Sequence, residues 1–534
     1  MSSNSGLTKV KNQLLGIDWP LLIFLILFLN VKLVIKLAAL LFIYIIRNRA
    51  NLKLSLTNPR LPLFYFAVIS IAVFNFLLYG GFVNLNYSIA VLVGVGFWLM
   101  CLLASHQLKT AVETIPACKI HQTIFALFII NAIVSLVVYG SIIIETGAVN
   151  PYRYQGQYQK YFIGTGDYIK GISFDTSTTN AVLNAFAILY FLAKEKFAWC
   201  LFFMAVLLLT GSNITNMILG GVFLLLFIFK STKTQKSIIV ACFGLLVIFL
   251  AKVSPQNNSY IETAYEKFIE GKKPQQAKAV KEIPVTEKPD SILTAEERKQ
   301  KVAINYLDSV AAAKTKLETN IATLPKEKPE IPQANIHTPP YQHKDDTTSF
   351  QKELMVFMEK DKIDTPVPEE RTAPGKVTAL KEVVTYLWQH PAKIITGCGI
   401  CNFSSKLAFK ATGLKIAGGY PERFKYINPA FEKNHLALYL GYFTKTAGQH
   451  SVINKPDSVY GQLLGEYGIA GIAALLIFYF GFFSKHLKTL TYGLPLLVFT
   501  AGLFFSDYWF EQLSVMTVFE LLLFLNIKET TGQV

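Results

Sequence analysis

Apolar runs of 17 or more residues recur along the chain, and each is long enough to cross a hydrocarbon core of about 30 Å. A sequence punctuated this way is confined to a bilayer-spanning fold. The composition agrees: 52% of residues are hydrophobic, mean hydropathy is +0.38 and 16% are charged, against about 25% in soluble domains. A net charge of +16 is one signature of nucleic-acid binding. Here, however, Lys and Arg sit in short loops between apolar runs, the pattern of topology-setting charge, so no nucleic-acid partner is expected. No cleavable leader is evident. Residues 1–18 are polar, and 19–46 is too long for a signal core and lacks a small-residue cleavage site.

Residues 19–46 are interrupted by Lys32 and Lys36, which predicts two short spans or a half-inserted hairpin. Further spans are expected near 61–79, 88–104, 122–144, 180–193, 197–210, 215–229, 237–251, 463–483, 490–505 and 515–526, about twelve in all. With the N-terminus in the cytoplasm, alternation sends Arg47, Arg60, Lys109, Lys119, Lys194, Lys230, Lys236, Lys485, Lys488 and Lys528 inside. The short outer connections 80–86, 211–216 and 506–512 carry no Lys or Arg, as the positive-inside rule requires. The reading is an all-α polytopic membrane protein of about 12 transmembrane helices, with both termini cytoplasmic. One long outer loop lies between spans 9 and 10.

Four parts follow. Residues 1–251 form an N-terminal transmembrane bundle of about nine spans with an outer loop at 145–179. Residues 252–375 are a Lys-, Glu-, Pro- and Gln-rich insertion that cannot bury enough apolar surface to stay compact. Weak helices are expected at Thr294, which opens a capping box, and around 350–360. Residues 376–461 change character: "VTALKEVVTYLWQHPAKII" has apolar residues at helical spacing, followed by ordered Gly- and aromatic-rich segments. Residues 462–534 form a C-terminal bundle of three spans.

Four segments together resemble the O-antigen ligase and polymerase superfamily. "GKVTALKEVVTYLWQHPAKIITGCGICNF" resembles its outer-loop helix and Gly-x-Gly-x-x-Phe-like turn, and "DSVYGQLLGEYGIAGIAALLIFYF" the half-helix and span that follow. "FDTSTTNAVLNAFAILYFL" is similar to its Pro-Asn span start, and "LLLTGSNITNMILGGVFLLLF" to its Thr-x-Ser-Arg-Gly hairpin. All four fall in the family's order, from Gln122 onward. The chain also departs from the pattern. Lys376, followed by Leu380, stands where ligases place Arg-x-x-x-Leu. Asp457, with ten residues between it and Gly468, stands where they place His; Asn213 replaces the hairpin Arg, and Thr179-Asn180 replaces Pro-Asn. These changes favour a polymerase-like or divergent member over a standard lipid A–core ligase.

The resemblance implies transfer of a glycan from a polyprenyl diphosphate to an acceptor hydroxyl at the periplasmic face of a bacterial inner membrane. No metal or other cofactor takes part. A leaving diphosphate gathers negative charge, so cations must face it, Arg as a fork and Lys as a point charge. The acceptor hydroxyl needs a base. Lys376 is the positional match for the catalytic cation and Asp457 for the base, although Asp457 could instead cap the following helix. His450 and His435 are alternative bases. Lys170, directly before "GISF", together with Arg153, Arg371 and Arg423, are the candidate diphosphate ligands. Glu466 lies on the same stretch and, as a charge at membrane depth, is a candidate or a buried anchor.

Cys398 and Cys401 form C-x-x-C, which reads as local packing or a small disulfide; the other four cysteines, in or beside spans, read as apolar filler. Two other functions fit the same chain: a transporter or flippase for a lipid-linked glycan, against which stands the lack of an internal repeat, and a catalytically inactive scaffold.

Overall fold

The computed structural model describes residues 16–47, 52, 55–147, 168–253, 374–413, 421–443 and 453–531. These belong to one compact unit, comprising Met1–Glu266, Ala373–Gly413 and Tyr420–Val534. The second unit, Lys267–Thr372 with Leu414–Gly419, lies outside the described residues, so the expected insertion and its two weak helices are not among them.

Every regular element among the described residues is helical. A hydrocarbon environment demands this of continuous apolar segments, because an α-helix satisfies its backbone polar groups within itself. In chain order the elements are α1 (Trp19–Leu29), α2 (Leu33–Arg47), α3 (Phe64–Leu78), α4 (Leu85–Thr114), α5 (Ala117–Thr146), α6 (Ser177–Ala193), α7 (Phe197–Leu209), α8 (Asn213–Phe229) and α9 (Lys233–Ile248). After the insertion come α10 (Gly375–Gln389), α11 (Lys406–Ala411), α12 (Ala437–Phe443), α13 (Val459–Ala474), α14 (Gly493–Leu503), α15 (Trp509–Gln512) and α16 (Ser514–Thr530). Each of the expected spans coincides with a helix. Among the described residues, four stretches are long and apolar enough to cross a membrane: Leu85–Thr114, Ala117–Glu145, Lys233–Val253 and Val459–Ser484.

The first apolar run does break in two. Asp18 caps α1 by accepting from the Leu21 N–H at 2.8 Å. Lys36, on α2, is buried and donates to the Phe28 carbonyl at 2.7 Å. There its cation meets the negative end of α1.

The helices α6 and α16 are buried on nearly all sides, and the polar residues they carry, such as Asn180 and Glu520, are buried with them. The α16 helix packs against α1, α4, α5, α6 and α14. Polar contacts gather at two opposite ends of this bundle. At one end Arg47 pairs with Asp18 (2.6 Å) and Lys194 with Glu529 (2.7 Å), while Lys528 donates to the Val112 and Ile115 carbonyls that close α4. At the other, Asn75 and Tyr79 of α3 reach the 392–397 segment, and the Val31 N–H donates to the Ser173 carbonyl at 2.9 Å.

The loop before α6 hangs on one asparagine cluster. Asn180 donates to the Ile169 carbonyl (2.8 Å) and Ser135 Oγ (2.9 Å), and its Oδ1 accepts from Asn131 (2.7 Å) and Asn184 (3.0 Å). Asn180→Leu orphans several of these buried groups, each worth about 1–3 kcal/mol. A clear fall in thermal midpoint in detergent is expected; an unchanged midpoint would show that water replaces the amide.

Candidate active site

Three backbone segments far apart in sequence meet at the end of the bundle where α3 touches residues 392–397. They are the Gly-rich turn 394–405, the strap 453–458 with the start of α13, and the connection 504–511. The first two join through a break in a helix. Gly468, inside α13, has φ 66° and ψ −160°, a conformation open essentially to glycine alone. The break frees backbone groups, and the turn takes them up. Cys398 N–H donates to the Gly465 carbonyl (2.9 Å) and Gly399 N–H to that of Glu466 (3.0 Å); Ile469 and Ala470 N–H donate to the carbonyls of Ile394 and Ile395 (2.9 and 3.0 Å). Gly397 approaches the Glu466 backbone so closely that a Cβ would lie 2.4 Å from its carbonyl carbon.

The amphipathic α10 buries Gly375, Ala379, Val383 and Leu387, and Val383 and Leu387 pack with Cys398 and Phe403 of this turn and with Ala430. Its first residues are held by the strap: Gly375 N–H donates to Asn454 Oδ1 (3.2 Å) and Lys376 N–H to the Ile453 carbonyl (3.1 Å). That places the Lys376 ammonium 2.5 Å from the Asp457 carbonyl and 2.8 Å from that of Ser506. Lys376 and Asp457, 81 positions apart, are thus in one site.

Asp457 does not cap the helix. Ser458 does, its Oγ accepting from Gly461 N–H at 3.4 Å. The Asp457 side chain turns inward and is 1% exposed. Its Oδ2 is paired with Lys455, which also lies 3.8 Å from Asp507. Among the described residues its Oδ1 has no hydrogen-bond partner. Beyond it stand Tyr439 and Tyr508, their hydroxyls 2.5 Å apart, with Ser404 Oγ 3.2 Å from that of Tyr508.

The electrostatics follow from burial among paired charges. Burial pushes the Asp457 carboxyl above the usual carboxylate range, with Asp507 adding to it and Lys455 and Lys376 opposing. Burial opposes ionisation of Asp507 as well. There Lys455, Lys406 and the Tyr508 N–H, 2.7 Å away, prevail and hold it below that range. Burial lowers Lys376 to about 8 despite the two aspartates. For Lys455 those aspartates outweigh burial and raise it. The result is a buried carboxylate with one unpartnered oxygen, held among lysines.

Lys455, Asp507, Tyr439 and Tyr508 escape a sequence reading because their pairing is tertiary. Asp507 and Glu511 carried the one available signal, being acids in the 506–512 connection, which lacks Lys and Arg. Glu511 accepts from Gln462 (2.6 Å) and from the Leu407 N–H at the start of α11 (3.0 Å), so it anchors that helix. Lys406 and Lys410 on α11 add cations that act on Asp507, Glu511 and Asp175.

The remaining candidates are not gathered here. Lys170 precedes a 3-10 turn and accepts from Ser173 Oγ through its carbonyl (2.8 Å); among the described residues no contact joins its side chain to Asp457. Arg423 is exposed, over the Phe424 ring at 4.6 Å. Arg153, Arg371 and His450 lie outside the described residues. His435 is buried under α10, 3.1 Å from Glu382 Oε2 and against the Phe403 ring, four residues before Tyr439. Glu466 is fully buried, accepting from the Phe403 N–H at 3.4 Å, with Oε2 unpartnered among the described residues. Cys398 and Cys401 are free and buried, and burial pushes the Cys398 thiol up to about 12, which fits packing.

Comparison of the chain with models of known protein families, with curated proteins and with solved structures finds no significant match.

Proposed function

We propose that the chain is a polytopic membrane glycosyltransferase of the O-antigen ligase or polymerase type, with about twelve spans and its site on the outer face. One observation carries the reading: Asp457 and Lys376, the two positional matches, come together in a buried charged site where Asp457 keeps one oxygen unpartnered. The contacts at the two ends of the bundle support the topology, since Arg47, Lys194 and Lys528 share one end and the connections at 31, 79–86 and 506 share the other.

In the reaction, the acceptor oxygen attacks the anomeric carbon of the lipid-linked sugar. The bond from that carbon to the diphosphate oxygen breaks, and the diphosphate leaves with the electron pair. The acceptor proton passes to Asp457 Oδ1. A base whose pKa is raised toward neutrality is matched to that task. Lys376, Lys406 and Lys410 supply positive charge for the leaving group.

A base works deprotonated and a cation protonated. Transfer should therefore rise with pH as Asp457 ionises and fall above about pH 8 as Lys376 loses its charge. Lys376→Arg should carry the alkaline limb to higher pH, because Arg stays charged. A limb that does not move in this variant removes Lys376 from the role. One observation favours the inactive-scaffold reading: the Lys376 ammonium is already engaged by two backbone carbonyls.

A further inference from the structure

The α10 helix presents three faces where its packing needs two. One stripe, Gly375, Ala379, Val383 and Leu387, is buried against the protein, Gly375 on the strap at Asn454 and Val383 and Leu387 on the Gly-rich turn. A second, Thr378, Lys381, Glu382, Thr385 and Gln389, lines an open groove of about 600 Å³ whose far wall is Pro429–Asn434. The third is apolar and uncovered: Val377, Leu380, Val384 and Trp388 recur at helical spacing, and Trp388 is 80% exposed. A water-facing helix has no use for such a stripe.

The stripe continues onto surfaces already suited to lipid. Ile395, 68% exposed, accepts through its carbonyl from the Ala470 N–H of the candidate span Val459–Ser484, whose Ile469, Leu476 and Ile477 also face outward. On its other side, Tyr79 Oη donates to the Ala392 carbonyl at 3.1 Å, at the end of α3 where Phe74, Leu77 and Leu78 are exposed. The uncovered face of α10 is therefore an extension of the bundle's apolar belt at that end.

We propose that α10 is an interfacial helix seated in the boundary between headgroups and acyl chains of the bilayer. Its Val377–Trp388 stripe enters the apolar side, its buried stripe grips the protein and its Thr/Gln/Lys face looks to water. Trp388 occupies the headgroup level, where an amphipathic ring is favoured. Lys381, between the apolar and polar faces, extends its ammonium toward water along its own stem. Lys376 stands in the first turn of the helix, so lipid contact fixes the depth at which that ammonium is presented. This inference is independent of the transfer chemistry.

The test places a nitroxide, one site at a time in the full chain, on Val377→Cys, Leu380→Cys, Val384→Cys, Trp388→Cys, Lys381→Cys and Thr385→Cys. The background is Cys118→Ser, because Cys118 is the exposed thiol among the described residues. The protein is reconstituted in vesicles of phosphatidylcholine and phosphatidylglycerol. Expected is a severalfold excess of oxygen over water-soluble nickel-chelate collisions at 377, 380, 384 and 388, reversed at 381 and 385. Nickel-chelate access at 384 and 388 equal to that at 385 would overturn the proposal. So would exclusion of both agents, which would mean that protein, such as a second copy, covers the face. As a check without labels, brominated lipid should quench wild-type fluorescence more than that of Trp388→Phe. Equal quenching would also overturn it.

Discussion

Asp457→Asn is expected to cut glycan transfer by about 10²–10⁴-fold, the range for loss of a positioned base, without lowering the amount of protein in the membrane. The change is nearly isosteric and removes a charge that burial already disfavours, so the fold has little to lose. Lys455, released from Asp457, keeps Asp507 at 3.8 Å. The readout is surface polysaccharide on a gel with an immunoblot of the protein. Single repeat units on the lipid core would mark a lost polymerase; long chains retained on the polyprenyl carrier would mark a lost ligase. Wild-type polysaccharide from Asp457→Asn sinks the assignment and leaves the scaffold and transporter readings. Lys376→Ala alone is less decisive, since it also releases the clamp between the Asp457 and Ser506 carbonyls.

Gly468→Ala should be severely damaging to the fold. Its backbone conformation costs any other residue about 1–3 kcal/mol. The added methyl would also lie 2.5 Å from the Ile395 carbonyl oxygen and 2.6 Å from the Gly397 nitrogen. Both are backbone atoms already fixed by the bonds that join turn to helix, so neither can swing aside. We expect the folded protein to be largely lost from detergent extracts. Gly461→Ala, one turn into the same helix, is the control: its methyl meets only side-chain atoms at 3.7 Å. If Gly468→Ala melts with Gly461→Ala, the turn is not held as described.

Hydropathy located the helices because lipid leaves an apolar segment no other stable form. It placed their ends less well. Residues 105–114 carry Ser105, His106, Gln107 and Thr110, which end an apolar window, yet α4 runs on to Thr114 with those side chains buried. At the site, the spacing from Asp457 to Gly468 was legible, and so was the amphipathicity of α10. Which of the adjacent Asp457 and Ser458 caps the helix was not, since either residue type serves and the backbone decides. The partners were not legible either. Asp507 meets Lys455 only because the start of α13 is strapped to the end of α14, where the Val459 N–H donates to the Phe504 carbonyl at 2.9 Å.

The burial of α16 carries a consequence for the order in which the protein is made. This last of the described helices is enclosed by α1, α4, α5 and α6, all of which leave the ribosome hundreds of residues earlier. The Tyr65 hydroxyl finds its partner in Glu520, 455 positions further along. The slot that receives α16 therefore keeps its polar lining, the Tyr65 hydroxyl included, unmatched until residues 514–530 have been made. A chain stopped before Ser514 leaves the helices around that slot without the one they enclose.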